Sequence, residues 1–126
     1  MKLDAFFSQY TQAFDALSAE SIAELYRLPC ATSDGDGVNV YSDRQSLIEK
    51  FAGNCDAMKG FGYQKSMFRI LAQQDLGEGK VSVNIAWRIT TAGGNIDFRS
   101  LYICHKLSGD WRIFSANVYP GQFESE

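Results

Sequence analysis

Apolar residues near the start of the chain recur at helical spacing. Leu3, Phe6, Phe7, Tyr10, Phe14 and Leu17 fall on one stripe of an amphipathic helix. Ser18 is a candidate N-cap for a second helix. That helix carries Ile22, Leu25, Tyr26 and Leu28 inward and stops at Pro29. Cys30 to Asn39 reads as a loop, because Ser33-Asp34-Gly35-Asp36-Gly37 is turn chemistry. Val38 to Tyr41 is a short strand candidate. Ser42-Asp43-Arg44-Gln45 reads as a capping box for a third helix, with Leu47, Ile48 and Phe51 on its buried face and an end between Gly53 and Gly60.

After Gly60 the period changes to two. Phe61 to Gln73 is a long strand candidate, bounded by Asp75-Leu76-Gly77-Glu78-Gly79. Val81, Val83, Ile85, Trp87 and Ile89 alternate with polar or small residues and give the cleanest strand of the chain. Ala92-Gly93-Gly94-Asn95 is a hairpin turn. A strand from Ile96 to Leu107, the turn Ser108-Gly109-Asp110 and a last strand from Trp111 to Tyr119 follow. Helices first and hairpin strands afterwards predict an α+β fold, with helices on one face of an antiparallel sheet of four long strands and a short one.

Composition narrows the class. With 126 residues, 45% apolar and 21% charged, the expectation is one globular domain over residues 1–126, not a disordered chain or a coiled coil. The net charge of −3 argues against a nucleic-acid binder, which carries a basic surface. No apolar run approaches the roughly 20 residues of a membrane helix, and the N-terminus lacks the apolar core of a signal peptide. Cys30, Cys55 and Cys104 are an odd count without paired spacing, so free thiols in a cytoplasmic protein are expected.

The motifs that would carry chemistry are mostly missing. His105 is the one histidine, which leaves no His-based zinc site, and no phosphate-binding glycine loop is present. His105 and its neighbour Cys104 point to opposite faces of a strand, so a surface or dimer-contact histidine is expected. Asp34-Gly35-Asp36 hints at calcium, but Asn39 stands where a calcium loop needs glycine. No metal and no organic cofactor is expected.

Three local patterns carry a resemblance: Tyr10-x3-Phe14, Ile22-x2-Leu25-Tyr26 and the closing strand Trp111 to Tyr119. With the element order, they make residues 3–119 resemble the nuclear-transport-factor-2-like superfamily, which includes ketosteroid isomerases and SnoaL-type polyketide cyclases. The resemblance implies a curved sheet wrapped around the first helix as a cone, with a pocket at its open end and dimers through the outer sheet face. The ketosteroid isomerase pattern implies Asp34 as general base and Tyr10 as an oxyanion donor. Tyr102 stands where that pattern has a protonated aspartate, so the second donor would be a phenol. The same register sends Ile85, Trp87 and Ile89 inward with Ser115, Asn117 and Tyr119, and a slip of one residue would reverse every assignment.

Each of these residues has a plainer reading. Asp34 is ordinary in a turn, Tyr10 and Tyr102 are ordinary in a core, and Asp97 becomes a candidate only if the register slips. Three functions stay open. One is a small-molecule-binding domain whose pocket, lined by Phe14, Tyr26, Ile85, Trp87, Ile89, Asn117 and Tyr119, holds an apolar or acidic metabolite. Another is a cofactor-independent isomerase, cyclase or dehydratase using Asp34, Tyr10 and Tyr102. The last is a dimeric association domain without catalysis, with a filled cone.

Overall fold

The computed structural model describes residues 3–124. Helix α1 (Leu3–Asp15) buries Leu3, Phe6, Phe7, Tyr10 and Ala13, the stripe its spacing dictates. Ser18 caps α2 (Ala19–Glu24) by accepting the Ser21 N–H. Strands β1 (Tyr26–Asp34) and β2 (Gly37–Tyr41) form a hairpin, followed by α3 (Arg44–Gly60). Four long strands complete the chain: β3 (Tyr63–Gly77), β4 (Lys80–Thr91), β5 (Gly94–Leu107) and β6 (Asp110–Tyr119).

The six strands form one sheet in the order β2-β1-β6-β5-β4-β3. Neighbours are antiparallel except β1 and β6, which run parallel. This is the expected α+β architecture, with a curved, unclosed sheet around α1. Strand β1 and its parallel pairing with β6 were not expected, and they make the sheet six-stranded where four long strands and a short one were predicted. The second helix ends four residues earlier than its apolar pattern suggests. Leu28 precedes Pro29 and so disfavours helical backbone. The chain passes instead into β1, and the Ile113 N–H bonds the Leu25 carbonyl to start the pairing with β6. Tyr26, Cys30 and Thr32 point inward from β1, and Leu28 is exposed. Only Gly35 and Asp36 remain of the predicted loop. The cap of α3 is Asp43, which accepts the Ser46 N–H at 3.0 Å. Ser42 is one residue too early for that geometry.

The core lies between the helices and the concave face of the sheet. Phe7, fully buried, is its centre and touches Phe6, Tyr10, Phe68 and Tyr102 with ring centroids 5.0–6.3 Å apart. On β4, Val81, Val83, Ile85 and Trp87 are inward, as the alternation requires. On β5 the inward residues are Phe98, Ser100, Tyr102 and Cys104, each opposite an inward residue of β4.

On β6 the expected register fails. Cys104 pairs with Ile113, but Ile103 pairs with Ser115, so Phe114 is an extra residue. This bulge reverses the parity of the strand. Ile113 is inward before it; Ala116 and Val118 face inward after it, beside Tyr102 and Ser100. Ser115, Asn117 and Tyr119 are thereby turned to the outer face. Asn117 donates to the Leu101 carbonyl at 3.0 Å, and the Tyr119 hydroxyl donates to Asn84 Oδ1 at 2.6 Å.

Candidate functional site

A cavity of about 580 Å³ opens between the concave sheet face, α1 and α3. That is within the usual range for small-molecule sites, roughly 300–1,000 Å³. Of the residues singled out by sequence, Tyr10, Phe14, Tyr26, Asp34, Trp87, Ile89 and Tyr102 line it. Ile85 points inward but is wholly buried in the core and does not reach the cavity. Asn117 and Tyr119 lie on the other side of the sheet, for the reason just given.

The wall is mostly apolar. Phe51, Ala57, Met58 and Phe61 of α3 and its cap close one side; Ile96, Phe98, Ala116 and Val118 of the sheet close the other. Sequence reasoning missed these residues, although two signals were available. Asn54, Ala57, Met58 and Phe61 repeat at i, i+3, i+4 and i+7, a second stripe on α3. Ile96, Phe98 and Ser100 share the parity of Tyr102 on one strand.

Tyr10, Tyr26, Trp87 and Tyr102 meet at the buried end, while Asp34, Asp36 and Asn54 line the cavity elsewhere. The Tyr10 and Tyr26 hydroxyls are 2.7 Å apart and hydrogen-bonded. Trp87 Nε1–H donates to the Tyr102 hydroxyl at 3.0 Å. Burial raises the Tyr10 and Tyr26 phenols well above the ordinary value, and the neighbouring phenols add to the effect at Tyr10. Burial also pushes Tyr102 up to about 12. All three are therefore neutral at physiological pH and act as hydrogen-bond donors or acceptors, not as anions. One phenol of the Tyr10–Tyr26 pair donates to the other, which leaves the pair one hydrogen to give. Tyr102 accepts from Trp87 and keeps its own hydrogen.

Asp34 is the last residue of β1, at the cavity wall beside Gly35 and Asp36. Both of its oxygens are engaged. Oδ1 accepts the Asp36 N–H at 3.0 Å, and Oδ2 accepts from Lys50 Nζ at 2.8 Å. Lys50, on α3, also donates to Asp36 Oδ2 at 3.0 Å, and its side chain is only 4% exposed. Burial works to lower the Lys50 pKa, but the hydrogen bonds it donates to the two carboxylates, with their charges, outweigh burial and raise it. The ammonium therefore ties the β1–β2 turn to α3. A third carboxylate, Asp15, accepts from the Ser66 backbone and from the Tyr63 hydroxyl, and so fixes the start of β3 against α1.

The family described as NTF2-like protein (DUF6841) matches residues 2–121. No curated protein matches the chain. Among solved structures, Aln2 from a Streptomyces species is 14% identical, covers 94% of this chain and 88% of its own, and has a TM-score of 0.76. A ketosteroid isomerase-like protein from Erwinia carotovora atroseptica is 14% identical over 92% of this chain and 91% of its own, with a TM-score of 0.72. A protein from Thiobacillus denitrificans, named as a calcium/calmodulin-dependent protein kinase type II association domain, is 12% identical over 94% of both chains, with a TM-score of 0.76. At these identities the likeness is one of fold.

Proposed function

Because the chain belongs to the NTF2-like family that matches residues 2–121, we propose that its cavity binds a small, neutral, largely apolar molecule carrying at least one oxygen. The observation behind this reading is the division of the cavity: apolar walls, and phenol hydrogens at the buried end. An apolar body gains by leaving water. A carbonyl or ether oxygen gains from donors that are already desolvated and held in place. An acidic ligand is disfavoured, since two carboxylates, Asp34 and Asp36, line the cavity and Lys50 is already bound to both.

Proton abstraction by Asp34 is the weaker reading. Asp34 already has a structural task that accounts for it: it accepts the Asp36 N–H and pairs with Lys50, which ties the β1–β2 turn to α3. The open volume also argues against a cone filled for assembly alone. Self-association can still accompany binding. The exposed apolar residues Val38, Val40 and Leu101 share the outer sheet face, and we infer that a homodimer forms there. Three free thiols, all buried, accord with a reducing, cytoplasmic setting.

The test is calorimetric titration with acetylnaphthalene, a neutral apolar ketone. Saturable 1:1 binding is expected. It should be lost in Ala116→Leu, which fills the cavity, and weakened on the order of tenfold in Tyr102→Phe, which removes one donor. Asp34→Asn should bind like the wild type. Absence of binding by the whole chain, or binding indifferent to both Ala116→Leu and Tyr102→Phe, would overturn the reading.

A further inference from the structure

The opposite face of the sheet holds a second cluster that the cavity does not use. Lys80, His105 and Arg112 are cross-strand neighbours on β4, β5 and β6. All three point outward, since Val81, Cys104 and Ile113 beside them are buried. Arg27 reaches the same place from β1, and its Nη1 lies 3.2 Å from His105 Nδ1. A guanidinium has no acceptor, so it donates and Nδ1 accepts. The neutral ring then carries its proton on Nε2. The β6 bulge puts Phe114 flat against the imidazole, with centroids 4.8 Å apart and planes 9° from parallel. The ring is thus fixed in tautomer and in orientation.

This cluster has no counter-charge among the described residues. Among the described residues, the ion pairs occupy Arg44, Lys50 and Arg88, and no carboxylate pairs with Arg27, Lys80 or Arg112. Arg27 is half-buried, and its Nε is enclosed without a hydrogen-bond partner. A partly desolvated cation beside two other cations and an imidazole N–H is costly unless an anion joins it. Burial and then the charges of Arg27 and Lys80 lower the His105 pKa, which favours the neutral ring.

We propose that Arg27, Lys80, His105 and Arg112 form an oxyanion site on the outer sheet face for a phosphate group. Arg27 and Arg112 supply planar N–H donors, Lys80 supplies a mobile charge, and His105 supplies a fixed donor at Nε2. The site is independent of the cavity, which lies on the other face. The group could belong to a small phosphate ester or to a lipid headgroup, and the two sources are separable.

The chain has one histidine, so NMR of its ring reports on the site without ambiguity. Inorganic phosphate, titrated at constant ionic strength, should shift the His105 signals to saturation and raise its pKa, because a bound anion favours the imidazolium. Arg27→Gln should weaken binding on the order of tenfold. Lys80→Gln, at an exposed position, should weaken it too with the fold intact, and Arg44→Gln on α3 should not. Sedimentation with phosphatidic acid vesicles, reversed by phosphate, would assign the group to a lipid; no sedimentation alongside phosphate binding would assign it to a small ester. Shifts that grow linearly without saturation, or saturation unchanged in both Arg27→Gln and Lys80→Gln, would overturn the proposal.

Discussion

The two faces of the sheet are built from the same strands by different physics. On β5, Phe98, Ser100, Tyr102 and Cys104 look inward, and Asp97, Arg99, Leu101, Ile103 and His105 look outward. The inner face is held by aromatic packing, with Tyr10 alone meeting Phe7, Phe14, Tyr26, Trp87 and Tyr102 at 5.1–6.1 Å. The outer face is held by charge. Arg88 grips Asp97 through two hydrogen bonds of 2.8 and 2.9 Å. The segment after β6 folds back over it: the Phe123 N–H donates to Asp97, its ring lies under Arg69 and Arg88, and Arg99 donates to the Gln122 carbonyl. Gly121 permits this approach, since a Cβ there would meet Arg99 Cδ at 2.6 Å. The inner face therefore decides stability and the cavity, and the outer face decides which charges and partners the protein meets.

If the inner face carries stability, the largest loss should come from its centre. Phe7→Ala should destabilise the fold by about 3–5 kcal/mol, as large-to-small core changes do. That is much of the roughly 5–15 kcal/mol that holds a domain together. Urea unfolding measures it, and a loss of less than about 1 kcal/mol would show that the aromatic cluster is not the keystone.

Tyr102→Phe should have a smaller effect, about 1–3 kcal/mol, because it strands the Trp87 N–H in the core. It also carries a pH signature. The Tyr102 phenol is raised in the folded state, so its contribution is complete below the unfolded value of about 10 and is lost as pH rises towards 12. Tyr10 and Tyr26 add losses of the same sign. Each buried phenol steepens alkaline unfolding by up to about 1.4 kcal/mol per pH unit. The slope should be shallower in Tyr102→Phe.

On the outer face the sign reverses. The Arg88 hydrogen bonds hold the Asp97 carboxyl below its ordinary value. Its stabilisation is complete above that ordinary value, about 3.9, and fades as pH falls through the lowered one. Asp97→Asn should flatten the acid limb of the stability curve and leave the alkaline limb alone. The loss at neutral pH should be smaller than for Tyr102→Phe, since the pair is partly exposed.

How much of this was legible in the sequence follows the same division. The α1 stripe and the β4 alternation were readable because each element buries one side, and burial writes its period into the residues. Strand β1 was not, because Pro29 and the Asp-Gly turn suggested an end of structure where a parallel pairing begins. The bulge at Phe114 was not readable either, since an extra residue is a property of two paired strands and leaves no mark on one. That single residue sent Asn117 and Tyr119 to the wrong face. Asp34 was placed at the cavity by resemblance, but Lys50 is 16 positions away on another element, and only the docking of α3 brings the two together. In the sequence, Gln122 to Glu126 reads as a frayed tail; residues 125–126 lie outside the described ones, and Gln122 to Glu124 are anchored instead. The anchors are three arginines scattered over β3, β4 and β5, a set that no local pattern announces.

The smallest effect should come from the exposed apolar residues of the outer face. Val38 is 78% exposed and shares a cross-sheet row with Ser33, Asn117 and Leu101. A side chain already in water contributes little to folding, so Val38→Lys should change unfolding free energy by no more than about 0.5 kcal/mol. If the row is where two copies meet, the same change should weaken self-association, because a lysine in the centre of an apolar interface must be desolvated. Sedimentation equilibrium and urea unfolding on one preparation separate the two. Weaker association with unchanged unfolding would support the division of labour between the faces. Lost stability with unchanged association would mean that the β1–β2 hairpin supports the fold through its outer side, and the division would have to be redrawn at β1.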